Sequence, residues 1–195
     1  MADFEYLQGA TPLDKNEIEG LIPTHITVRG ELDRWEQDNI NEALAWLDSH
    51  KPKDILNEAF MKRLHKRMFG NVWKWAGTFR RSDKNIGVMW RMIPNDLKLL
   101  CDDVHYWIEH HTFLEDEIAA RFHNRLVQIH LFPNGNGRHA RLMADILLKQ
   151  YFKKLPFTWG MANLAQKGDD RTQYIKSLKA ADNGDYGLLM RFVRS

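Results

Sequence analysis

The stretch HLFPNGNGRHAR, from His130 to Arg141, combines residue types that suit the binding of phosphate groups. An apolar run is stopped by Pro133, and the Asn-Gly-Asn-Gly segment that follows has to turn sharply into a new helix. The first N–H groups of a helix have no partner within the helix, and the helix dipole favours negative charge there. Because glycine also lets a ligand approach the backbone closely, the pattern favours an anion site.

Two arginines and a histidine make this turn more specific. Arg138 and Arg141 are three positions apart, so we expect them on one face of the first turn of the new helix. Two guanidinium groups at a helix N-terminus suit a di- or triphosphate better than a bare carboxylate. His130 precedes the turn, where it can take a proton from a nucleophile beside the phosphates. Taken singly, such a turn or histidine is more often structural, but the coincidence of these features favours chemistry.

The rest of the chain has to position this turn, and its apolar periodicity is helical almost throughout. One segment, residues 77–93, contains Gly, Asp-Lys-Asn and Val-Met-Trp and suits a short β-hairpin better than a helix. The predicted fold is therefore an all-α helical bundle with one short β-hairpin. The predicted helices span residues 31–48, 54–69, 95–110, 114–129, 136–152 and 169–181.

Length and composition exclude several classes of protein. At 195 residues the chain suits one ordinary domain with an extended arm, and its formal charge of +2 gives no electrostatic reason to expect nucleic-acid binding. The single Cys101 cannot form an internal disulfide and is expected to be a structural thiol in a reducing compartment. The N-terminus does not resemble a secretion signal, and no apolar run is long enough to span a membrane. We therefore expect a cytoplasmic protein without membrane contact.

The turn resembles the signature of the Fic domain family, His-x-Phe-x-x-Gly-Asn-Gly-Arg-x-x-Arg. The matching positions are His130, Phe132, Gly135, Asn136, Gly137, Arg138 and Arg141. Upstream, LHKRMFG and WKWAGTFRRSDKNIGVMWRMIP are similar to the Fic segments before and around the flap, the loop that receives the target. The two ends of the chain resemble the bacterial Fic subgroup called mobile mystery protein B. The resemblance thus covers nearly the whole chain and suggests an N-terminal arm over residues 1–30 and a Fic domain with flanking helices over residues 31–195.

This resemblance implies a nucleotidyltransferase that transfers AMP from ATP to a Tyr, Thr or Ser hydroxyl of a target protein or of itself. His130 would be the general base, and the flap would pair through its backbone with an extended target segment. The phosphate-binding residues would be Gly135, Asn136 and Gly137 for the α- and β-phosphates, Arg138 for the β-phosphate and Arg141 for the γ-phosphate. The flap residues would be Asn85, Ile86, Gly87, Val88, Met89 and Trp90.

Two positions depart from the family pattern. The usual Pro after the motif histidine is Leu131, which supplies no reacting atom and should be tolerated. Adenylylating members usually have Asp or Glu, a ligand of Mg²⁺, where this chain has Asn134, which offers one neutral oxygen. The resemblance thus implies ATP as substrate with Mg²⁺ or Mn²⁺, the metal site being weakened by Asn134.

The resemblance also implies a regulatory element. Many Fic proteins carry an inhibitory helix that ends in Glu-Gly, with Ser or Thr four residues before the glutamate, and this glutamate pairs with the second motif arginine. Here Glu19 and Gly20 match, but position 15 is Lys. An inhibitory ion pair between Glu19 and Arg141 and an ordinary helix end with a glycine cap are therefore equally weighted interpretations.

Two other classes of function remain open. A nucleotide- or phosphate-binding regulatory module, similar to a toxin–antitoxin component, is favoured by Asn134 and disfavoured by the retained His130. A helical interaction protein with a DNA-binding role has weak support, because the basic residues are dispersed and no helix-turn-helix pattern is clear. The expected partners are a target protein with an extended segment and, as open options, a regulatory protein or a second copy of the chain.

Overall fold

The computed structural model describes residues 11–161, 164 and 168–195, and this part of the chain is built from helices joined by loops, of which a long one spans residues 70–89. The α-helices are α1 (Lys15–Ile18), α2 (Arg29–His50), α3 (Glu58–Phe69), α4 (Ile93–Glu109), α5 (Glu115–Ile129), α6 (Asn136–Leu147), α7 (Asp169–Asp182) and α8 (Gly187–Val193). Short 3₁₀ turns lie at Trp90–Met92 and Trp159–Met161, and α6 continues as a π-helical turn over Leu148–Phe152.

Helix α5 lies at the centre of the bundle, where it packs against α4, α6, α7 and α8. Its apolar face is fully buried through Ile118, Ala119, Phe122 and Leu126, each at most 2% exposed. Burial of such side chains contributes about 25 cal/mol per Å² of apolar surface, so α5 is a firm support for the segment that follows its C-terminal end. This segment, residues 130–136, joins α5 to α6 and is called the motif turn.

Local sequence signals set the helix ends. The side chain of Asn57 caps α3 by accepting a hydrogen bond from the N–H of Phe60 at 2.8 Å, and Pro94 lies in the first turn of α4. Asp14 and Glu17 form a reciprocal capping box that closes the single turn of α1. These caps explain why elements with modest apolar patterning begin where they do.

The predicted helical bundle is confirmed, whereas the predicted β-hairpin is wrong. Each of the six predicted helices is present, and the described residues add α1 and the short α8. Within residues 77–93, all of which are described, no strand forms, and the chain follows an irregular loop into the 3₁₀ turn before α4. The physical reason is that a buried arginine side chain, rather than a second strand, satisfies the backbone carbonyls of this loop, as shown below.

The described part of the N-terminal arm, residues 11–30, packs against the loop that follows α3. The N–H of Ile22 donates to the carbonyl of Val72, and the N–H of Lys74 donates to the carbonyl of Gly20, both at 2.8 Å. Leu21 and Trp73 form an isolated antiparallel bridge between these bonds. The arm is therefore joined to the domain by backbone hydrogen bonds as well as by side chains.

Two expectations about composition can be compared with the fold. Cys101 is a buried free cysteine, and burial raises the pKa of its thiol to about 12, as expected for a structural thiol. Among the helices of the described residues, none has the length and apolar character needed to cross a membrane.

Candidate active site

The motif turn begins where α5 ends at His130, whose backbone adopts a left-handed conformation with φ 58°. The turn is braced from within by Asn136, whose side chain accepts from the N–H of Phe132 at 2.9 Å and donates to the carbonyl of Phe132 at 2.7 Å. Gly135 has φ +79°, and a Cβ there would lie 2.7 Å from the ring of Phe69. The first glycine of the motif is thus required by both conformation and space.

The side chain of His130 is buried, with 5% of its surface exposed. Burial lowers its pKa to about 4, helped by the charges of Arg80 and Lys84 and opposed by the carbonyl of Val127. The ring is therefore neutral at pH 7 and can accept a proton. Its Nε2 lies 2.8 Å from the hydroxyl oxygen of Thr11, in the N-terminal arm. With the ring proton assigned to Nδ1, the hydroxyl of Thr11 donates to Nε2.

Asn134 connects the turn to the arm. Its amide nitrogen donates to the carbonyl of Thr11 at 3.0 Å, and its amide oxygen accepts from the N–H of Gly135 at 2.7 Å. The carbonyl of Asn134 accepts from Nε2 of His65 at 3.0 Å, while Nδ1 of His65 accepts from the N–H of Gly77. Both the side chain and the backbone of Asn134 are thus fixed by hydrogen bonds.

The two motif arginines diverge toward different helices. Arg138 forms an ion pair of 2.7 Å with Glu36 on α2 and lies over the ring of Phe69. Arg141 lies over the ring of Tyr174 on α7, 5.5 Å from its centroid. Both arginines lie on one helix as predicted, but Arg138 is in the first turn of α6 and Arg141 is in the second, and their side chains have separate partners.

The two motif arginines differ in how far a carboxylate neutralises their charge, and Arg141 is the less neutralised. Among the residues that the structure describes, no carboxylate forms an ion pair with Arg141. Burial, followed by the charge of Arg141, lowers the pKa of Arg171, so the two guanidinium groups lie near one another. Positive charge beside the N-terminal end of α6 is the environment expected of an anion site.

Arg80 fastens the flap to the motif turn. Its side chain, 1% exposed, donates to the carbonyls of His130 at 2.7 Å, Ser82 at 2.9 Å and Ile129 at 3.3 Å, and also to that of Val88. One guanidinium group thus satisfies carbonyls from both the flap and the end of α5 and replaces the ladder of a hairpin.

One residue of the flap, Gly87, lies beside His130. Gly87 has φ +109°, and a Cβ there would lie 2.7 Å from the Cβ of His130. Ile86 is 38% exposed and Met89 67% exposed, so apolar side chains flank this contact on the surface. Asn85 is exposed, whereas Val88 and Trp90 are half-buried, and the N–H of Trp90 donates to Asp83.

The Glu-Gly pair lies at the end of α1. Glu19 is exposed, and in the described part of the chain it forms no ion pair with Arg141. Gly20 is buried against the ring of Trp75. The position of Gly20 fits an ordinary helix end. In this arrangement of the arm, the inhibitory ion pair between Glu19 and Arg141 is not formed.

The glutamate that does bind across the fold is Glu17. It accepts from Lys84 at 2.6 Å, and Asp14 lies 3.4 Å from the same ammonium group, so the arm is tied to the loop that leads into the flap.

Several residues of the site were not predicted from the sequence: Thr11, Glu36, His65 and Arg80. Each contacts the motif turn or α6 from a distant position in the sequence, so the contacts exist only in the folded chain. No signal in the sequence marks Arg80, because it stands in an Arg-Arg-Ser-Asp-Lys-Asn run, where charged side chains are ordinarily exposed.

The residues present do not fit a protein-held magnesium ion. Asn134 is neutral, and its amide oxygen already accepts the N–H of Gly135. Among the described residues, no group of three His, Cys, Asp or Glu side chains could hold a metal. A hard cation prefers charged oxygen ligands, and Asn134 does not supply one.

Comparisons with known proteins place this arrangement in a family. Residues 55–148 match the Fic/DOC family model. The protein adenylyltransferase Fic of Drosophila virilis is 33% identical over 145 residues, and that of Drosophila melanogaster is 34% identical over the same length. The match covers 72% of this chain but 27% of the Drosophila virilis protein, so the chain spans about a quarter of the length of this relative.

Solved structures show the same fold at lower identity. Fic-1 of C. elegans, in a form carrying E274G, has a TM-score of 0.69 at 23% identity, covering 93% of this chain and 54% of that one. BepC of Bartonella tribocorum, solved with bound AMPPNP, has a TM-score of 0.65 at 16% identity, covering 96% and 93%. With the motif, the family model and the fold in agreement, residues 55–148 form a Fic domain, and through this domain the chain belongs to the Fic/DOC family.

Proposed function

We propose that this chain is a protein adenylyltransferase that transfers AMP from ATP to a hydroxyl side chain. The observation that carries the proposal is the environment of His130, a buried neutral imidazole whose Nε2 lies 2.8 Å from a hydroxyl oxygen. A base that binds a hydroxyl next to an anion-binding helix N-terminus suits hydroxyl attack on a phosphorus atom.

The comparisons support this activity. The Drosophila relatives are named protein adenylyltransferases, and two of the structural neighbours, from Bartonella tribocorum and Bartonella quintana, were solved with bound AMPPNP and ADP. An adenine nucleotide therefore fits this fold in other proteins. We propose ATP as the substrate of this chain.

The phosphates would lie at the N-terminal end of α6. The first N–H groups of a helix have no partner within the helix and are free to bind an anion. A Cβ at Gly137 would meet only the guanidinium of Arg141, at 3.7 Å. Arg138 would support the β-phosphate and Arg141 the γ-phosphate, because Arg138 lies in the first turn of α6 and a guanidinium nitrogen of Arg141 lies near Gly137. Fixed donors of this kind stabilise the charge that develops during transfer.

His130 would take the proton of the incoming hydroxyl. Because its pKa is lowered by burial and by the charges of Arg80 and Lys84, the ring is unprotonated before the reaction and releases the proton readily afterwards. Arg80 holds the carbonyl of His130 and so fixes the end of α5 from which the ring projects. The chain thus supplies a base whose position is set by its own backbone.

The target would be a protein segment that lies along the flap. Gly87 approaches His130 closely, and the exposed Ile86 and Met89 lie on either side of it. An extended segment bound there would present a Tyr, Thr or Ser hydroxyl to Nε2 of His130. We expect the target to be cytoplasmic, in keeping with the single buried Cys101.

Transfer of label from ATP tests the proposal. The purified chain is incubated with ATP labelled at the α-phosphate, alone and with a cell extract, and labelled proteins are counted on a gel. We expect labelling by the native chain, background labelling by His130→Ala and normal labelling by the control His105→Ala, since His105 is exposed on α4. Equal labelling by the native chain and His130→Ala would overturn the proposal.

A nucleotide-binding module without transfer is the second candidate. The observation that favours it is Asn134, whose oxygen is neutral and already hydrogen-bonded to Gly135. Calorimetric binding of ATP with no label on any protein would favour this candidate over the transferase.

A further inference from the structure

The N-terminal arm places one hydroxyl at the position that an acceptor must occupy. Thr11 is buried, with 6% of its surface exposed, and its hydroxyl oxygen lies 2.8 Å from Nε2 of His130. This is the only hydrogen bond within the described residues that reaches Nε2 of His130. A hydroxyl bound to the lone pair of a neutral imidazole is ready to lose its proton to that imidazole.

The arm is fixed at Thr11 and at several points that follow it in the chain. On the side of the motif turn, the amide of Asn134 donates to the carbonyl of Thr11 at 3.0 Å. Along the arm, Lys84 pairs with Glu17 and Asp14, and further on Gly20 and Ile22 share backbone hydrogen bonds with the domain. The hydroxyl is therefore delivered by a docked segment rather than by a loose chain end.

Asn134 has a particular relation to this docking. An amide can donate to the carbonyl of Thr11 and accept from Gly135 at once, whereas a carboxylate at position 134 could only accept. A carboxylate would face the carbonyl of Thr11 without a proton between them. Asn134, one of the two departures from the family pattern, thus helps to hold the arm beside His130.

We propose that Thr11 is an intramolecular acceptor and that the chain adenylylates this residue in cis. The inference rests on the proposed function, because it requires ATP at the N-terminal end of α6. The hydroxyl oxygen of Thr11 forms a bond to the α-phosphorus, and the bond from that phosphorus to the oxygen bridging the β-phosphate breaks. Pyrophosphate leaves with the electron pair, and the hydroxyl proton passes to Nε2 of His130 and then to solvent.

Modification would also change the arm itself. The hydroxyl of Thr11 would no longer be able to donate to His130, and the buried site would have to accommodate a bulky anionic group. The arm would therefore leave the motif turn, and His130 would become accessible to other acceptors. Occupation of His130 by Thr11 before modification keeps external hydroxyls away from the base.

Peptide mass spectrometry after incubation with ATP tests this proposal. We expect the mass of one AMP on the peptide that contains Thr11, with a rate constant that does not depend on protein concentration. Thr11→Val, which keeps the shape and removes the hydroxyl, should reduce this product to background, and Thr11→Ser should retain it. Thr24→Val, at an exposed threonine of the same arm, is the matched control and should behave as the native chain.

The outcomes separate this inference from the proposed function. His130-dependent labelling of other residues or other proteins, with Thr11 unmodified, overturns the inference and leaves the transferase intact. No labelling of any protein overturns both. A rate that rises in proportion to protein concentration shows transfer between molecules and overturns the cis proposal. Thermal unfolding of Thr11→Val and Thr11→Ser at the native midpoint confirms that loss of the product reflects the missing hydroxyl.

Discussion

At the scale of single residues, the neutral state of His130 is what separates binding from transfer. In the proposed arrangement the imidazole faces the acceptor hydroxyl, whereas the helix N-terminus and the arginines would bind the phosphates. We therefore expect His130→Ala to reduce label transfer at least about 100-fold, the lower end of what a general base contributes, with little change in ATP affinity. Single-turnover labelling gives the transfer rate and calorimetry gives the affinity. A parallel loss of ATP binding would show that His130 mainly holds the phosphate site together.

Asn134 gives the second prediction at this scale. Asn134→Asp supplies a charged oxygen ligand beside the phosphates and removes the hydrogen bond to the carbonyl of Thr11. We expect label transfer to other proteins to rise several-fold and to depend on Mg²⁺ in a metal titration. Comparison with Thr11→Val separates the two effects, because that variant frees His130 without adding charge. Unchanged or lower transfer across the titration would show that Asn134 suits a different chemistry.

At the scale of elements, the arm carries two glutamates, of which one makes a tertiary contact and the other serves as its control. Glu17 binds Lys84 at 2.6 Å and caps α1, while Glu19, two residues later, is exposed and forms no ion pair in the described structure. We expect Glu17→Gln to loosen the arm, seen as faster hydrogen exchange over residues 11–19 and increased labelling of other proteins. Glu19→Gln should leave both unchanged. The reverse pattern would support the inhibitory ion pair with Arg141 that the family resemblance implies.

The flap gives a prediction about backbone geometry. Gly87 has a positive φ, and a Cβ there would meet a nitrogen of Arg80 and the Cβ of His130, both at 2.7 Å. We expect Gly87→Ala to lower the free energy of unfolding by about 1–3 kcal/mol and to reduce label transfer, since strain there displaces His130. Gly168→Ala is the control, because no atom lies within 4 Å of the added Cβ. Normal stability and transfer in Gly87→Ala would show that the flap backbone moves to accommodate the added Cβ without displacing His130.

The elements also show how far sequence reasoning reached. Apolar periodicity predicted α2 to α7 because each of these helices buries one face, and the motif located the turn between α5 and α6. The flap was predicted as a hairpin because composition reports strand propensity but not the side chain that replaces the ladder, here Arg80. Thr11 could not be predicted, since its contact with His130 spans 119 positions and depends on how the arm docks.

At the scale of the whole molecule, four buried histidines make the fold sensitive to acid. Burial lowers the pKa of His123 to about 3, of His130 and His139 to about 4, and of His65 well below its usual range. In the unfolded chain these groups titrate near pH 6.5, so near pH 5 the unfolded state binds about three more protons at His123, His130 and His139, and His65 acts in the same direction. Their stabilisation is present above pH 6.5 and is lost as the pH falls.

Asp145 acts in the opposite direction. Burial raises its pKa to about 6, so the folded state binds one proton in the same pH range that the unfolded state does not. The net difference of at least about two protons predicts that the free energy of unfolding falls by at least about 3 kcal/mol per pH unit near pH 5. Urea unfolding at a series of pH values measures this slope. His139→Asn should reduce the slope by about one proton, whereas the exposed His105→Asn should not change it. A slope near zero in the native chain would mean that these histidines become protonated without unfolding, and His130 would then be a poorer base at acidic pH than its burial implies.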